Sequence, residues 1–432
     1  MKETQPHALT HQSIRAAREC RVVLGNPCVK SFGGGETELL HYVEMIRLIP
    51  NLPGRLWTPA VLLALAFAAV PSAISQAPGP DKATALEQEG KLPAAEQEWR
   101  AWLAGNPNDA AAFASLGVVL SKQSKFEAAA AAYRKAIELN PKLPGIQLNL
   151  GIAEFRQGNL QAAIEPFRAA LAADPHSLQA NALLGLSYYG TGQFEKASQH
   201  LQVASSADPQ NLELHNVLAQ SCLSAKQFDC ALREFTWIMK QNPDSANAHM
   251  LMGQALDGLK RTDDAIAEFQ LAAQADPRAP NVYFGLGFLY WKTGRYDNAA
   301  TYFAKQLSTD PDNPEALTYL GDVELKRNNF EKALALLTHA VRLRQDIRFA
   351  YLDLGTVYTE LHRYDEALAA LQHAERLDPN QMDVHFRLGT LYKAMGKSAE
   401  AQKEFAKIHE LQKQAEDNLA DRLSSPKSTP QN

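Results

Sequence analysis

Cysteine is scarce in this chain. Four residues in 432 are too few for a disulfide scaffold, and none stands at zinc-ligand spacing. Charge of one sign is scarce as well. The formal net charge is −5 with both signs mixed along the chain, so no basic stripe is present and no nucleic-acid partner is expected. No glycine-rich phosphate loop follows a strand, no nucleophile elbow occurs, and no paired carboxylates stand in a plausible cleft. These absences leave no enzyme signature and imply no cofactor. The longest apolar run, Leu56 to Val70, has fifteen residues, short of the ~20 that span a bilayer comfortably.

What is present is a spacing. Gly117, Gly151, Gly185, Gly253, Gly287, Gly321, Gly355 and Gly389 lie on one ladder with a step of 34 residues, and Ala219 occupies the missing rung. A second ladder holds Ala129, Ala163, Ala197, Ala231, Ala265, Ala299, Ala333, Ala367 and Ala401. A third holds Pro107, Pro141, Pro175, Pro209, Pro243, Pro277, Pro311 and Pro379, with Gln345 on its vacant rung. No insertion breaks the register from Ala95 to Ile408. A period of this length marks a stacked repeat.

Within the period the residues spell a helix–turn–helix. In 280–313, Tyr283, Leu286, Gly287 and Tyr290 recur at helical spacing. Gly294 supplies a turn. Ala299, Phe303 and Leu307 stripe a second helix, and Asp310-Pro311 ends the unit. Gly287 and Ala299 are expected where the two helices cross. This pattern resembles the tetratricopeptide repeat family over residues 76–415, as ten 34-residue units beginning at 76, 110, 144, 178, 212, 246, 280, 314, 348 and 382. The first unit departs most, with Ala83 on the glycine rung and Trp99 and Trp102 in its second helix. The resemblance implies an all-α, right-handed superhelical solenoid of helix pairs that bury their apolar faces on their neighbours.

Ahead of the repeat, 1–44 reads as a disordered leader or a mis-assigned start, with Met45 the alternative start. Residues 45–75 read as a secretory signal peptide. Arg47 and Arg55 form a basic segment, Leu56 to Val70 an apolar core, and Ala73-Ile74-Ser75 a small-residue cleavage site. The alternative is an uncleaved anchor, in which residues 56–70 would be the chain's one membrane contact. Ala77-Pro78-Gly79-Pro80 is a stiff linker. At the other end, the last helix is expected to run on through Leu411, Leu419 and Leu423 as a polar cap, with 424–432 disordered; 416–432 is thus cap extension and tail.

The family resemblance also implies which first-helix positions face a groove: the second, fifth, ninth, twelfth and thirteenth of each unit. These place Leu148, Ile152, Phe155, Leu186 and Tyr189 on an apolar stretch. Asn216, Gln220, Asn247, Met250 and Gln254 follow, and amides can pair with the backbone of an extended peptide. Asn281, Phe284, Phe288 and Trp291 come next. The three aromatics share a helix face apart from Tyr283, Leu286 and Tyr290. They form either an aromatic hot spot for a partner segment or packing onto the next unit. No lysine–asparagine pair stands at the fifth and ninth positions, so the carboxylate clamp of chaperone-tail receptors is not expected.

His215, His249 and His385 share one position in their units, and His339 and His373 another. They read as inherited repeat residues, since metal ligands must converge on one ion. Cys222 and Cys230 flank a turn almost symmetrically. Export would permit a disulfide between them, but two small buried side chains are the favoured expectation. The functional expectation is a periplasmic or secreted scaffold whose groove holds a peptide or protein segment. A membrane-anchored scaffold of an envelope complex and a regulatory subunit of an enzyme on another chain are the alternatives.

Overall fold

The structure is a computed structural model that describes residues 81–424, with side chains to 418. The leader, the candidate signal segment, the linker and the final tail lie outside the described residues. The described residues fall into two compact units, 81–343 and 344–424. Both consist of helix pairs, and no strand occurs among the described residues.

The first unit holds α1 (Asp81–Gln88), α2 (Leu92–Gly105), α3 (Ala110–Lys122), α4 (Phe126–Leu139), α5 (Ile146–Arg156), α6 (Leu160–Ala173), α7 (Leu178–Gly190) and α8 (Phe194–Ala207). It continues with α9 (Leu212–Ser224), α10 (Phe228–Gln241), α11 (Ala246–Gly258), α12 (Thr262–Ala275), α13 (Val282–Lys292), α14 (Tyr296–Thr309), α15 (Pro314–Lys326) and α16 (Phe330–Leu343). The second unit holds α17 (Arg348–Glu360), α18 (Tyr364–Leu377), α19 (Met382–Ala394) and α20 (Ser398–Ser424). Odd-numbered helices open each pair and even-numbered helices close it.

The period is legible in the chemistry of the helix ends. Asp109, Ser177, Asn211, Ser245 and Asn313 share one rung, and each side chain accepts the backbone N–H three residues on. Asp109 also accepts from the indole Nε1 of Trp102 at 2.9 Å, which gives that first-unit tryptophan a partner. On the same rung Leu143 and Ala279 have no capping oxygen. There the chain instead turns at Gly145 and Asn281, both at positive φ, and α5 and α13 begin late and have 11 residues. The second helices from α2 to α18 are 14 residues long. Eight of them, including α14, stop at an Asp- or Asn-Pro step.

The glycine ladder has a steric cause. An added Cβ would lie 2.5 Å from the Phe167 ring at Gly151, 2.6 Å from the Phe303 ring at Gly287 and 2.4 Å from Leu371 at Gly355. Each glycine thus admits a bulky residue of the second helix onto the backbone of the first. The alanine ladder lies beside this contact, and Ala129 through Ala367 are fully buried.

The turn inside each pair also obeys the period. Gly90, Ser124, Gly158, Gly192, Lys226, Lys260, Gly294, Asn328, His362 and Gly396 all have positive φ. Five of the ten are not glycine, and a residue with a Cβ costs about 1 kcal/mol there. Lys260→Gly is therefore expected to raise stability by about 1 kcal/mol, read as a higher denaturant midpoint with an unchanged slope. A lower midpoint would refute this account of the turn.

The last pair departs from its neighbours. α20 continues as one helix of 27 residues. Phe386 stays 56% exposed, whereas Phe284 on the equivalent rung is 2% exposed. The extension thus lengthens the last helix without covering the Phe386 ring.

Candidate functional site

Successive first helices lie side by side in the first unit, including α5 with α7, α7 with α9, α9 with α11 and α13 with α15. The expected groove residues on these helices play three different parts.

The aromatic part is interior. Phe284 and Phe288 are each 2% exposed, because Tyr319 from α15 inserts among them. Its ring centroid lies 5.8 Å from Phe284, 5.5 Å from Phe288, 5.0 Å from Trp291 and 5.7 Å from Phe303. The exposed hot spot at Phe284 and Phe288 is corrected accordingly: these rings join one repeat to the next. Trp291 is half-buried, and its indole Nε1 donates to Asp322 at 2.6 Å. Phe155, edge-on to Phe167, is buried as well, and so are Leu148, Met250 and Gln254. Tyr319 carried no distinguishing signal in the sequence, since its rung varies from unit to unit.

A charged part follows. Asp257 of α11 is buried, and Lys292 of α13 reaches it with Nζ 3.1 and 3.2 Å from its two oxygens. Thr262 donates to the same carboxylate at 3.0 Å. One repeat further, Lys326 binds Asp322 at 2.7 Å. Asp257–Lys292 spans neighbouring first helices, whereas Lys326–Asp322 lies within α15 and Asp322 reaches α13 through Trp291. Sequence reasoning passed over Asp257. The available signal was an acid on a rung that the neighbouring units 144–177, 178–211, 212–245 and 280–313 fill with Phe155, Tyr189, Leu223 and Trp291.

The amide part is the open one. Asn216 and Gln220 on α9 are half-buried, and Asn247 on α11 is exposed. Gln220 Oε1 accepts from the Tyr189 hydroxyl at 2.7 Å. Burial raises the Tyr189 pKa, which keeps the phenol a neutral donor in that bond. Arg156, at the end of α5, has its pKa lowered by desolvation. Asn281 is occupied in the turn that starts α13, where its carbonyl accepts from Gly285 N–H at 2.9 Å.

The periodic histidines are fastenings. His249 Nδ1 meets Glu268 at 2.7 Å and its Nε2 meets the Pro243 carbonyl at 3.0 Å. His385 repeats this with Glu404 at 2.8 Å and Pro379 at 3.2 Å. His215 Nδ1 meets Glu234 at 2.6 Å, and its ring stacks on Trp237. Each joins the two helices of its own pair.

Cys222 and Cys230 form a disulfide, with Cα atoms 5.8 Å apart. This corrects the expectation of two separate buried thiols. The antiparallel pair α9–α10 brings positions flanking its turn within bridging distance, a fact of tertiary packing.

Sequence comparison agrees with this architecture. Tetratricopeptide repeat models match residues 81–144, 115–178 and 216–280, residues 154–221, and residues 383–414; a TPR repeat model matches 355–396. Together they cover more than half of the chain. The chain is a helix-pair repeat protein, and it belongs to the tetratricopeptide repeat family. That family is one of protein–protein interaction scaffolds and is generally non-catalytic. A model for anaphase-promoting complex, cyclosome, subunit 3 matches residues 292–374.

Three solved structures illustrate the likeness. YrrB, a TPR protein with an unusual peptide-binding site, is 25% identical with a TM-score of 0.36 over 41% of this chain and 92% of its own. The Cut9–Hcn1 hetero-tetramer of APC/C is 16% identical with a TM-score of 0.46, over 79% and 82%. PilF of Pseudomonas aeruginosa is 21% identical with a TM-score of 0.42, over 49% and 96%. No curated protein matches the chain in sequence.

Proposed function

We propose that the chain is an exported scaffold that holds an extended peptide or protein segment against α9 and α11. The observation that carries this reading is the set of amides that keep solvent access, Asn216 and Gln220 half-buried and Asn247 exposed. The ionic and aromatic seams lie beyond it, from α11 to α13 and from α13 to α15, and their side chains are already committed to packing. An amide offers both a donor and an acceptor, matching the alternating groups of a peptide backbone. Tyr189 and Trp291 border the same surface. The likeness to YrrB is consistent with peptide binding as a class of activity.

Export is supported by the order of basic, apolar and small residues across 45–75. The disulfide between Cys222 and Cys230 supports it independently, because such bonds persist in oxidising compartments. The periplasm or the exterior is the corresponding location. Amino-terminal sequencing of fractionated protein is expected to begin at Gln76. A retained 56–70 segment would instead make the scaffold membrane-anchored. Among the described residues no helix is long and apolar enough to cross a membrane.

The binding test is a pull-down with the Asn216→Ala, Gln220→Ala, Asn247→Ala triple variant. Losing several peptide hydrogen bonds at about 1 kcal/mol each is expected to reduce partner recovery tenfold or more, with the melting temperature little changed. Undiminished recovery would end the amide reading. A Phe284→Ala, Phe288→Ala variant is expected to fail by a different route, through loss of stability.

A further inference from the structure

Three features meet in the helix pair α9–α10. Its glycine rung carries Ala219, so a Cβ stands where Gly185 and Gly253 admit the second-helix side chain directly. Its turn residue at positive φ is Lys226, with φ 58°. It alone among the described pairs carries a disulfide, which crosses that same turn from Cys222 to Cys230. The first two features weaken the hairpin: one interposes a methyl group, and the other places a Cβ in the left-handed region. The third fastens it. Cys222 is fully buried and Cys230 partly so, hence the bond lies against the core of the pair and holds it at the end farthest from its capping oxygen on Asn211.

We infer that the Cys222–Cys230 bond makes this pair conditional on oxidation. With the bond formed, α9 and α10 hold at the stability of their neighbours. With it reduced, the pair opens locally while the flanking pairs stay folded, as nearest-neighbour coupling in a repeat stack permits. The reductant is a dithiol. Its thiolate attacks Sγ of the partly exposed Cys230, its second thiol resolves the mixed disulfide, and it leaves as a disulfide. Two electrons and two protons are transferred, and Cys222 and Cys230 end as thiols. Because Asn216 and Gln220 lie on α9, a scaffold that used them would hold its partner only where the bond is kept. This last step rests on the amide reading above, whereas the local opening does not.

The experiment is amide hydrogen exchange on the full chain. The oxidised wild type is compared with Cys222→Ala/Cys230→Ala and with wild type reduced by a dithiol under native conditions, reduction being checked by thiol labelling. For an eight-residue separation, loop-closure entropy predicts opening about fiftyfold more frequent. Faster exchange is expected across 212–241 alone. Adding Lys226→Gly to the double variant is expected to recover part of the protection, since it relieves the turn without restoring the bond. Unchanged exchange in 212–241, or equal acceleration in every pair, overturns the inference. The amide reading stands or falls separately, on partner recovery by the oxidised triple variant.

Discussion

Tyr319→Ala is expected to lower stability by about 3–5 kcal/mol and to split one unfolding transition into two. The ring is 3% exposed and touches Phe284, Phe288, Trp291 and Phe303. Those four side chains belong to the pair α13–α14, while Tyr319 belongs to the next. Truncation therefore removes packing between neighbouring repeats. In a stack whose stability is a sum of repeat and interface terms, weakening one interface uncouples what lies on either side. Urea denaturation followed by exchange should show helices near α15 opening at lower denaturant than those near α9. Tyr319→Phe preserves the ring and is expected to change the midpoint little. A single transition with an unaltered midpoint in Tyr319→Ala would show that the aromatic seam does not couple the repeats.

Asp257→Ala has the second large expected effect, a loss of about 3–5 kcal/mol. The Asp257 side chain has no exposure and that of Lys292 only 11%. Removing the carboxylate leaves an ammonium in a site where little water can replace its partner. The double variant Asp257→Leu, Lys292→Met is expected to recover most of the loss, because a buried ion pair and an apolar pair of similar volume are close in stability. Equilibrium denaturation of the three proteins is the measurement. A loss below about 1 kcal/mol in Asp257→Ala would place the pair in the class of solvent-screened surface bridges and refute its burial. No comparable effect is expected for Arg168 and Glu165, whose pair lies exposed on one helix.

These two predictions fall on residues the sequence did not single out, and the contrast is informative. Gly287 was legible because its rung repeats, and repetition separates a requirement from an accident. Its steric partner was only half legible. Sequence spacing suggested Ala299, whereas the Cβ would meet Phe303, one turn further along the second helix. The turn residue was legible as Gly294 but not as Lys260 or His362, since positive φ is imposed there by closure of the pair and merely eased by glycine. The second aromatic face of α13 was visible, but what covered it was not. Helical spacing establishes that Phe284, Phe288 and Trp291 share a face; it does not say whether that face meets water or Tyr319.

The amino-acid sequence by itself determined the helix pair, its length and its repetition, because glycine, alanine and proline each answer to local backbone geometry. It determined membership of the tetratricopeptide repeat family for the same reason. Tertiary structure alone decided which first-helix side chains remain available, since availability depends on the neighbouring repeat. It turned Phe284 and Phe288 inward, tied Trp291 to Asp322, joined Cys222 to Cys230 across a turn, and left Asn216 and Gln220 half-buried and Asn247 exposed. Burial is a property of two surfaces meeting, and the period describes only one of them.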